Sequence, residues 1–281
     1  MSGLKVAKVL NNNVIIAHHP EHSEVVVIGK GIGFNRKVGE IISLQSIEKL
    51  FILKNATDQE QYKQLALQVD EKLIEVLNEI ILYISQYSKT PLNEHIHIAL
   101  TDHIAFAMKR AEQDIAIHNP FLYETSEIYK EEFQLAEYAI RTIKDKMGID
   151  LGQDEIGFVA LHIHSAMTNQ HITEVKAHSE LISDLVEMIE QQLDFKITRD
   201  SLDYARLLTH LRFAIERIRR GDKVHEIGKL EEMLKEEYPE LYNLSWKLTK
   251  VMEKRLHKPV YNAEISYLTM HLNRVVPKNI N

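Results

Sequence analysis

Cysteine is absent from the 281 residues, which excludes disulfides, thiol catalysis and any zinc or iron–sulfur site ligated by thiolate. No apolar run approaches the ~18 residues a membrane helix needs. The N-terminus lacks the basic-then-apolar pattern of a leader peptide. A soluble, cytoplasmic protein without membrane insertion is therefore expected. Low-complexity tracts and heptad runs long enough for a coiled coil are missing as well. What is present is 44% hydrophobic and 27% charged, enough for two or three domains with cores of their own.

The net charge of −7 is unevenly spread. Residues 1–54 hold seven Lys/Arg (Lys5, Lys8, Lys30, Arg36, Lys37, Lys49, Lys54) against four acids (Glu21, Glu24, Glu40, Glu48), a balance of +3, which leaves −10 for the remainder. A basic head on an acidic body suits an anionic partner, although a charge this small is equally that of a solvated surface.

Beyond residue 60 the chain is written twice. Leu100-Thr101-Asp102-His103-Ile104-Ala105-Phe106-Ala107-Met108-Lys109-Arg110 returns as Leu207-Leu208-Thr209-His210-Leu211-Arg212-Phe213-Ala214-Ile215-Glu216-Arg217. Glu155-Ile156-Gly157-Phe158-Val159-Ala160-Leu161-His162-Ile163 returns as Glu264-Ile265-Ser266-Tyr267-Leu268-Thr269-Met270-His271-Leu272. Histidine occupies the same slot in both copies of each segment. A period this long describes two tandem domains rather than a solenoid.

The head reads as β structure. Val6, Val9 and Leu10 lead through Asn11-Asn12-Asn13 into Val14-Ile15-Ile16, a hairpin, and Glu24 to Ile28 form a third strand. Ile41-Ile42 and Phe51-Ile52-Leu53 supply a fourth strand and a closing edge. A sheet of about 55 residues is marginal alone, so it is expected to pair with a second copy. Asn55 to Glu60 reads as a linker, after which the period changes to a helical one. Leu65 to Ile84 form one long helix, and Thr90-Pro91-Leu92-Asn93 breaks the chain. Helices then carry His103, run from Asn119-Pro120 through Met147, and carry His162 behind a cap at Gln153 or Asp154. The second unit repeats the plan with helices at 175–193, around His210, at 228–256 and around His271, the last capped at Asn262. The expected architecture is multidomain: a small all-β domain (1–55) followed by two tandem all-α helical bundles (60–170 and 171–281).

Imidazole is the side chain whose ordinary pKa, ~6.5, leaves a neutral nucleophilic nitrogen at cytoplasmic pH. His103, His162, His210 and His271 are thus candidate phosphoryl acceptors, and phosphorylation would bring about two negative charges to a helix surface. The bland alternative is four satisfied core histidines. A metal site assembled from His95, His97, His103, His162, His164 and Asp102 would instead make the chain a metal-dependent phosphohydrolase with an accessory β domain. Against it, the second copy has Thr209 in place of Asp102 and Asn273 in place of His164. Gly29-Lys30-Gly31-Ile32-Gly33 is not a nucleotide loop, since no helix follows it. Those glycines can admit a sugar-phosphate chain, with Lys30 for charge, Phe34 for a base and Asn11 to Asn13 for base edges; an ordinary turn with a core phenylalanine reads equally well. Ala17-His18-His19-Pro20-Glu21-His22 reads as a solvated loop.

Taken together, these motifs resemble those of the BglG/SacY/LicT-type transcriptional antiterminators. Lys8-Val9-Leu10-Asn11-Asn12-Asn13-Val14 and Val27-Ile28-Gly29-Lys30-Gly31-Ile32-Gly33-Phe34 are similar to the signatures of their RNA-binding domain. Thr101 to Ile104 and Ala160 to Ile163 resemble the histidine motifs of the first phosphotransferase-system regulation domain, and Thr209 to Phe213 and Met270 to Arg274 those of the second. Lys30, with Leu92-Asn93-Glu94-His95-Ile96-His97, is similar to the glucose-responsive branch. The resemblance implies a homodimer that holds a leader mRNA hairpin so that the overlapping terminator does not form, with no enzymatic activity and no cofactor. It implies RNA contacts from Lys8, Asn11, Asn13, Gly29, Lys30, Gly31 and Phe34. By the same resemblance phosphorylation would come from the sugar permease, that for glucose, on the first unit and from the HPr phosphocarrier on the second, with His103 the first choice for the inhibitory site. The absence of Asp beside His210 implies that the two units need not respond alike.

Overall fold

The computed structural model describes residues 3–52, 56–222 and 228–276, and its contacts divide them into two units. One unit holds residues up to Asn119 together with Glu131–His171; the other holds Pro120–Lys130 and Ile172 onward.

The first unit starts with an antiparallel sheet. Its strands are β1 (Leu4–Val9), β2 (Val14–His19), β3 (Ser23–Ile28), β4 (Ile41–Ile42) and β5 (Lys49–Phe51), in the order β4-β1-β2-β3-β5. Central β2 is buried at four successive positions, Val14 to Ala17. An unbroken β-branched run, rather than an alternating one, is what a strand covered on both faces needs. On one face Val14, Ile16, Val26, Ile28 and Phe51 pack against Tyr62, Ala66, Ile74 and Ile98; on the other Ile15, Ala17, Val25 and Val27 pack with Ile32 and Ile42. The expected strands are all present, with Leu53 and Asn55 outside the described residues. The stretch expected to be a solvated loop is not one throughout: β2 continues through His19, pairing His18 with Glu24 and His19 with Ser23.

Helices follow. The expected linker is helical from residue 56, within α1 (Ala56–Gln68), because Tyr62 and Ala66 cover one face of the sheet. The single long helix expected up to Ile84 is two, α1 and α2 (Glu71–Tyr87). Asp70 accepts hydrogen bonds from the Lys72 and Leu73 amides and caps the start of α2. An Asp at N-cap supplies the donors' missing partner and starts a new helix even where the apolar period runs on. Then come α3 (Ile96–Glu112), α4 (Leu122–Ile128), α5 (Lys130–Met147) and α6 (Gln153–Thr168). The helix expected from Pro120 to Met147 is thus broken at Tyr129, and α4 packs on helices of the second unit. Neither expected cap serves α6: its N-cap is Gly152, and Asp154 accepts from the Asn119 amide at 2.6 Å instead.

The second unit contains α7 (Ile172–Leu193), α8 (Leu202–Arg220), α9 (Gly228–Glu237), α10 (Pro239–Leu256) and α11 (Asn262–Val275). The helix expected at 228–256 is two, since Pro239 cannot donate within a helix but fits its first turn. Asn262 lies inside α11, and Tyr261 is its N-cap. Apolar burial holds both bundles together. Ile80, Ile84, Leu185 and Leu211 are fully buried, and each such side chain contributes ~1.5–3 kcal/mol, against about 0.2–1 for an exposed ion pair.

Where α3 meets the sheet, His97 is sealed. Its ring stacks on Phe51 at 4.0 Å with 4° between planes, and neither ring nitrogen has a hydrogen bond among the described residues. Glu94 Oε2 lies 3.5 Å away, too far for a directed bond. Burial pushes the imidazole below its ordinary pKa; the Lys49 charge adds to this, and Glu94 offsets part of it. A histidine whose folded pKa is depressed stabilises the fold above the unfolded value of ~6.5, and that stability is lost as pH falls below it. Chemical denaturation is therefore expected to show unfolding free energy falling between pH 7.5 and 5.5 by up to about 1.4 kcal/mol per pH unit from this group. His97→Phe should remove that share. An equal fall in both proteins would contradict it.

Candidate functional site

Two places in the molecule gather the predicted residues. The first is the end of the sheet, where the β1–β2 turn meets the loop after β3. The Gly29 amide donates to Asn13 O at 3.1 Å, the Gly33 amide to Asn12 O at 2.8 Å, and the Gly31 amide to Asn13 Oδ1 at 2.7 Å. Asn11 Oδ1 accepts from the Asn13 amide. The asparagine carbonyls thus shape the loops, and the Nδ2 group of Asn13 has no partner among the described residues. Gly33 is required sterically: a Cβ there would lie 2.1 Å from Asn11 O. Gly31 is required conformationally, with φ +66°. Lys8, Lys30 and Gly31 are exposed, and Phe34, 62% exposed, is no core phenylalanine. Glu71, the first residue of α2, accepts from both the backbone amide and Nδ2 of Asn12, at 3.1 and 2.9 Å. Sequence reasoning missed this carboxylate, and its location in the chain gives no hint of it.

The second place occurs twice. In the first unit α3 and α6 bring His103 and His162 together, ring centroids 4.7 Å apart. In the second, α8 and α11 bring His210 and His271 into a stack at 3.3 Å. Beneath each pair lies a buried glutamate held by an arginine: Glu155 with Arg110, and Glu264 with Arg217. Both came from the repeated segments without a role assigned. The spacing carries the signal, since each arginine follows its histidine by seven residues and each glutamate precedes its histidine by seven, two turns along one helix face.

The pairs differ in their bonding. Glu155 Oε2 lies 2.9 Å from His103 Nε2 and its other oxygen meets Arg110. Burial opposes ionisation of Glu155, but the bonds from His103 and Arg110 outweigh it and hold the carboxyl below its ordinary pKa. His162 is pushed down to about 3 by burial, with the charges of His103 and His95 adding to it. In the second unit Arg217 takes both oxygens of Glu264, through Nε and Nη2 at 2.7 Å each. Burial, together with Arg217 and Arg274, pushes His210 down, and His271, which also faces His210, goes to about 4. A cavity of about 450 Å³ opens beside this pair, walled by Phe213, Tyr267 and Leu268. Neutral rings in an arginine-lined cleft can accept a phosphoryl group and find cations to balance it.

The residues of the metal alternative scatter. His97 stacks on Phe51, His164 Nδ1 meets Glu132 at 2.7 Å, His95 Nδ1 lies 3.4 Å from Asp58, and Asp102 is exposed and makes no bond to His103. Among the described residues no three His, Asp or Glu side chains are grouped to hold an ion.

A sheet with a glycine-built loop, joined to a duplicated helical histidine module, defines the class: an RNA-binding regulator with tandem regulation units. Comparisons agree. The CAT RNA binding domain matches residues 4–60 and the PRD domain matches twice, over 78–166 and 183–275. The chain is 51% identical to the PtsGHI operon antiterminator of Bacillus subtilis over 273 residues, 97% of each chain. It is 38% identical to the GlcA/glcB genes antiterminator of Staphylococcus carnosus over 99% of this chain and 98% of that one, and 34% identical to transcription antiterminator LicT of Bacillus subtilis over 97% and 99%. The crystal structure of GlcT CAT-PRDI, 54% identical, covers 60% of this chain and all of its own with a TM-score of 0.56. The chain belongs to the antiterminators built from a CAT RNA binding domain and PRD domains, in their GlcT-like branch.

The ion pair beneath the second histidine pair has a measurable consequence. Arg217→Ala leaves the buried Glu264 carboxylate uncompensated, which should cost about 2–3 kcal/mol, below the full cost of a buried pair because the arginine reaches water. Adding Glu264→Gln should recover part of the loss. Thermal unfolding of the single and double variants checks both, and additive losses would show that the pair is not coupled.

Proposed function

We propose that this chain is a transcriptional antiterminator whose sheet grips a leader mRNA hairpin of a sugar phosphotransferase operon, and whose grip is set by phosphorylation of His103, His162, His210 and His271. The observation that carries the proposal is the repeated meeting of two histidines across a helix–helix contact, over a buried Arg–Glu pair, in a chain whose other functional surface is a glycine-built loop. On that surface Lys8, Asn11, Asn13, Gly29, Lys30, Gly31 and Phe34 are the RNA-contacting set: lysines for phosphate, the Phe34 ring for a base, and the Asn13 amide for a base edge or 2′-hydroxyl. The β domain is taken as residues 1–55 and the regulation domains as 60–170 and 171–281. Val38 and Ile41, both about 70% exposed on the β domain, favour its pairing with a second copy into a homodimer. The sugar permease, that for glucose, is the proposed donor to the first unit and HPr to the second, which makes the protein a cytoplasmic regulator and not an enzyme.

Two measurements test this. Binding of the full chain to its leader hairpin should weaken as salt rises, with a log–log slope of about −0.7 to −0.9 per phosphate contact, and should exceed binding to an unrelated RNA. In a terminator reporter, His103→Ala should give antitermination without sugar and His103→Asp should give termination. Equal output from the two variants would remove His103 from the mechanism.

A further inference from the structure

The two units hold the same four residues in two bonding states. In the second, Arg217 claims both oxygens of Glu264, and neither His210 nor His271 has a carboxylate partner among the described residues. In the first, the carboxylate is shared: Glu155 gives one oxygen to Arg110 and the other to His103 Nε2, 2.9 Å away. A carboxylate only accepts hydrogen bonds, so this contact requires a proton on Nε2. In the neutral ring the lone pair then sits on Nδ1. Among the described residues His103 Nδ1 makes no hydrogen bond and is not one of the sealed polar atoms, whereas His162 Nδ1 is sealed without a partner.

We propose that Glu155, braced by Arg110, is a positioning residue that fixes His103 as the Nε2–H tautomer, so that phosphoryl transfer to this ring goes to Nδ1, while Arg217 withholds Glu264 and leaves the second unit's histidines without that constraint. The inference rests on the reading of His103 as a phosphoryl acceptor. In the transfer, the Nδ1 lone pair forms the new N–P bond as the bond between phosphorus and the donor atom breaks, and that electron pair leaves with the donor. The Nε2 proton stays on the ring, whose developing positive charge faces the Glu155 carboxylate. Arg110 supplies the geometry: without it the carboxylate would be free to turn both oxygens to other donors. It also stacks over Phe106 at 4.7 Å, which fixes the guanidinium itself.

Selective ¹⁵N-histidine labelling of the unphosphorylated full chain, with His103→Gln to assign the signals, reads the tautomer directly. The expected result is an Nε2–H ring at His103 that becomes a tautomer mixture in Glu155→Leu and is retained in Glu155→Gln, whose carbonyl oxygen can accept the same bond. Treatment with phosphoramidate, a donor that needs no docking, should then give Nδ1-phosphohistidine at His103 early in the reaction. Glu155→Leu should slow this roughly tenfold and mix the isomers, Glu155→Asp should restore the single isomer, and the rate at His210 in the same chain should stay unchanged as the control for folding. An Nδ1–H or mixed tautomer in the wild type overturns the inference without reference to any variant, as does an unaltered isomer and rate in Glu155→Leu. If wild-type His103 takes no phosphate while His210 does, the acceptor reading itself fails, and the inference falls with it.

Discussion

A carboxylate taken out of water must be given donors, and that constraint organises both regulation units. Glu155 and Glu264 are buried beneath their histidine pairs, where an unpaired charge would cost several kcal/mol. Each is answered by an arginine from the facing helix, Arg110 on α3 and Arg217 on α8. The ion pair therefore fixes how α3 lies on α6 and how α8 lies on α11. Because each arginine and each glutamate stands two turns from a histidine, fixing the ion pair also brings the histidines into contact.

The same burial sets the electrical state of the rings. His162 and His271 are pushed well below the ordinary histidine value by desolvation and by the charges around them. They are neutral at physiological pH, so neither brings a charge of its own to the contact that a phosphoryl group would enter. In the second unit Arg274 stands beside the pair, and Arg217 must divide itself between Glu264 and any newcomer. In the first unit the carboxylate is already committed to His103. Two copies of one sequence motif thus offer a phosphoryl group different surroundings, a difference in bonding rather than in composition.

One helix joins the first histidine pair to the sheet. His97 and His103 lie six residues apart on α3; the first stacks on Phe51 of β5 and the second bonds Glu155 on α6. The same helix thus carries both contacts. Glu71 makes a second connection, tying the start of α2 to the Asn12 loop. The β domain is therefore held to the helices by a sealed apolar face, where Tyr62, Ala66, Ile74 and Ile98 pack beside the His97–Phe51 stack, and by a polar contact at the surface.

Much of this was legible from the chain. The β-branched runs and the Asn11–Asn13 turn determined the strands, because period and turn chemistry are local properties. The duplicated segments marked all four histidines. Local signals failed where one element passed into another: the apolar period ran on through Asp70 and Tyr238, and only the cap and Pro239 divided those helices. The helical stretch from residue 56 could not be told from a polar linker, since what makes it a helix is the sheet face that Tyr62 and Ala66 cover. Asp102 is the carboxylate next to His103 in the chain, and adjacency alone would make it the ring's partner. The fold gave that role to Glu155, 52 residues away, because hydrogen bonding follows distance in space, and which acid faces a ring is decided only when the helices pack.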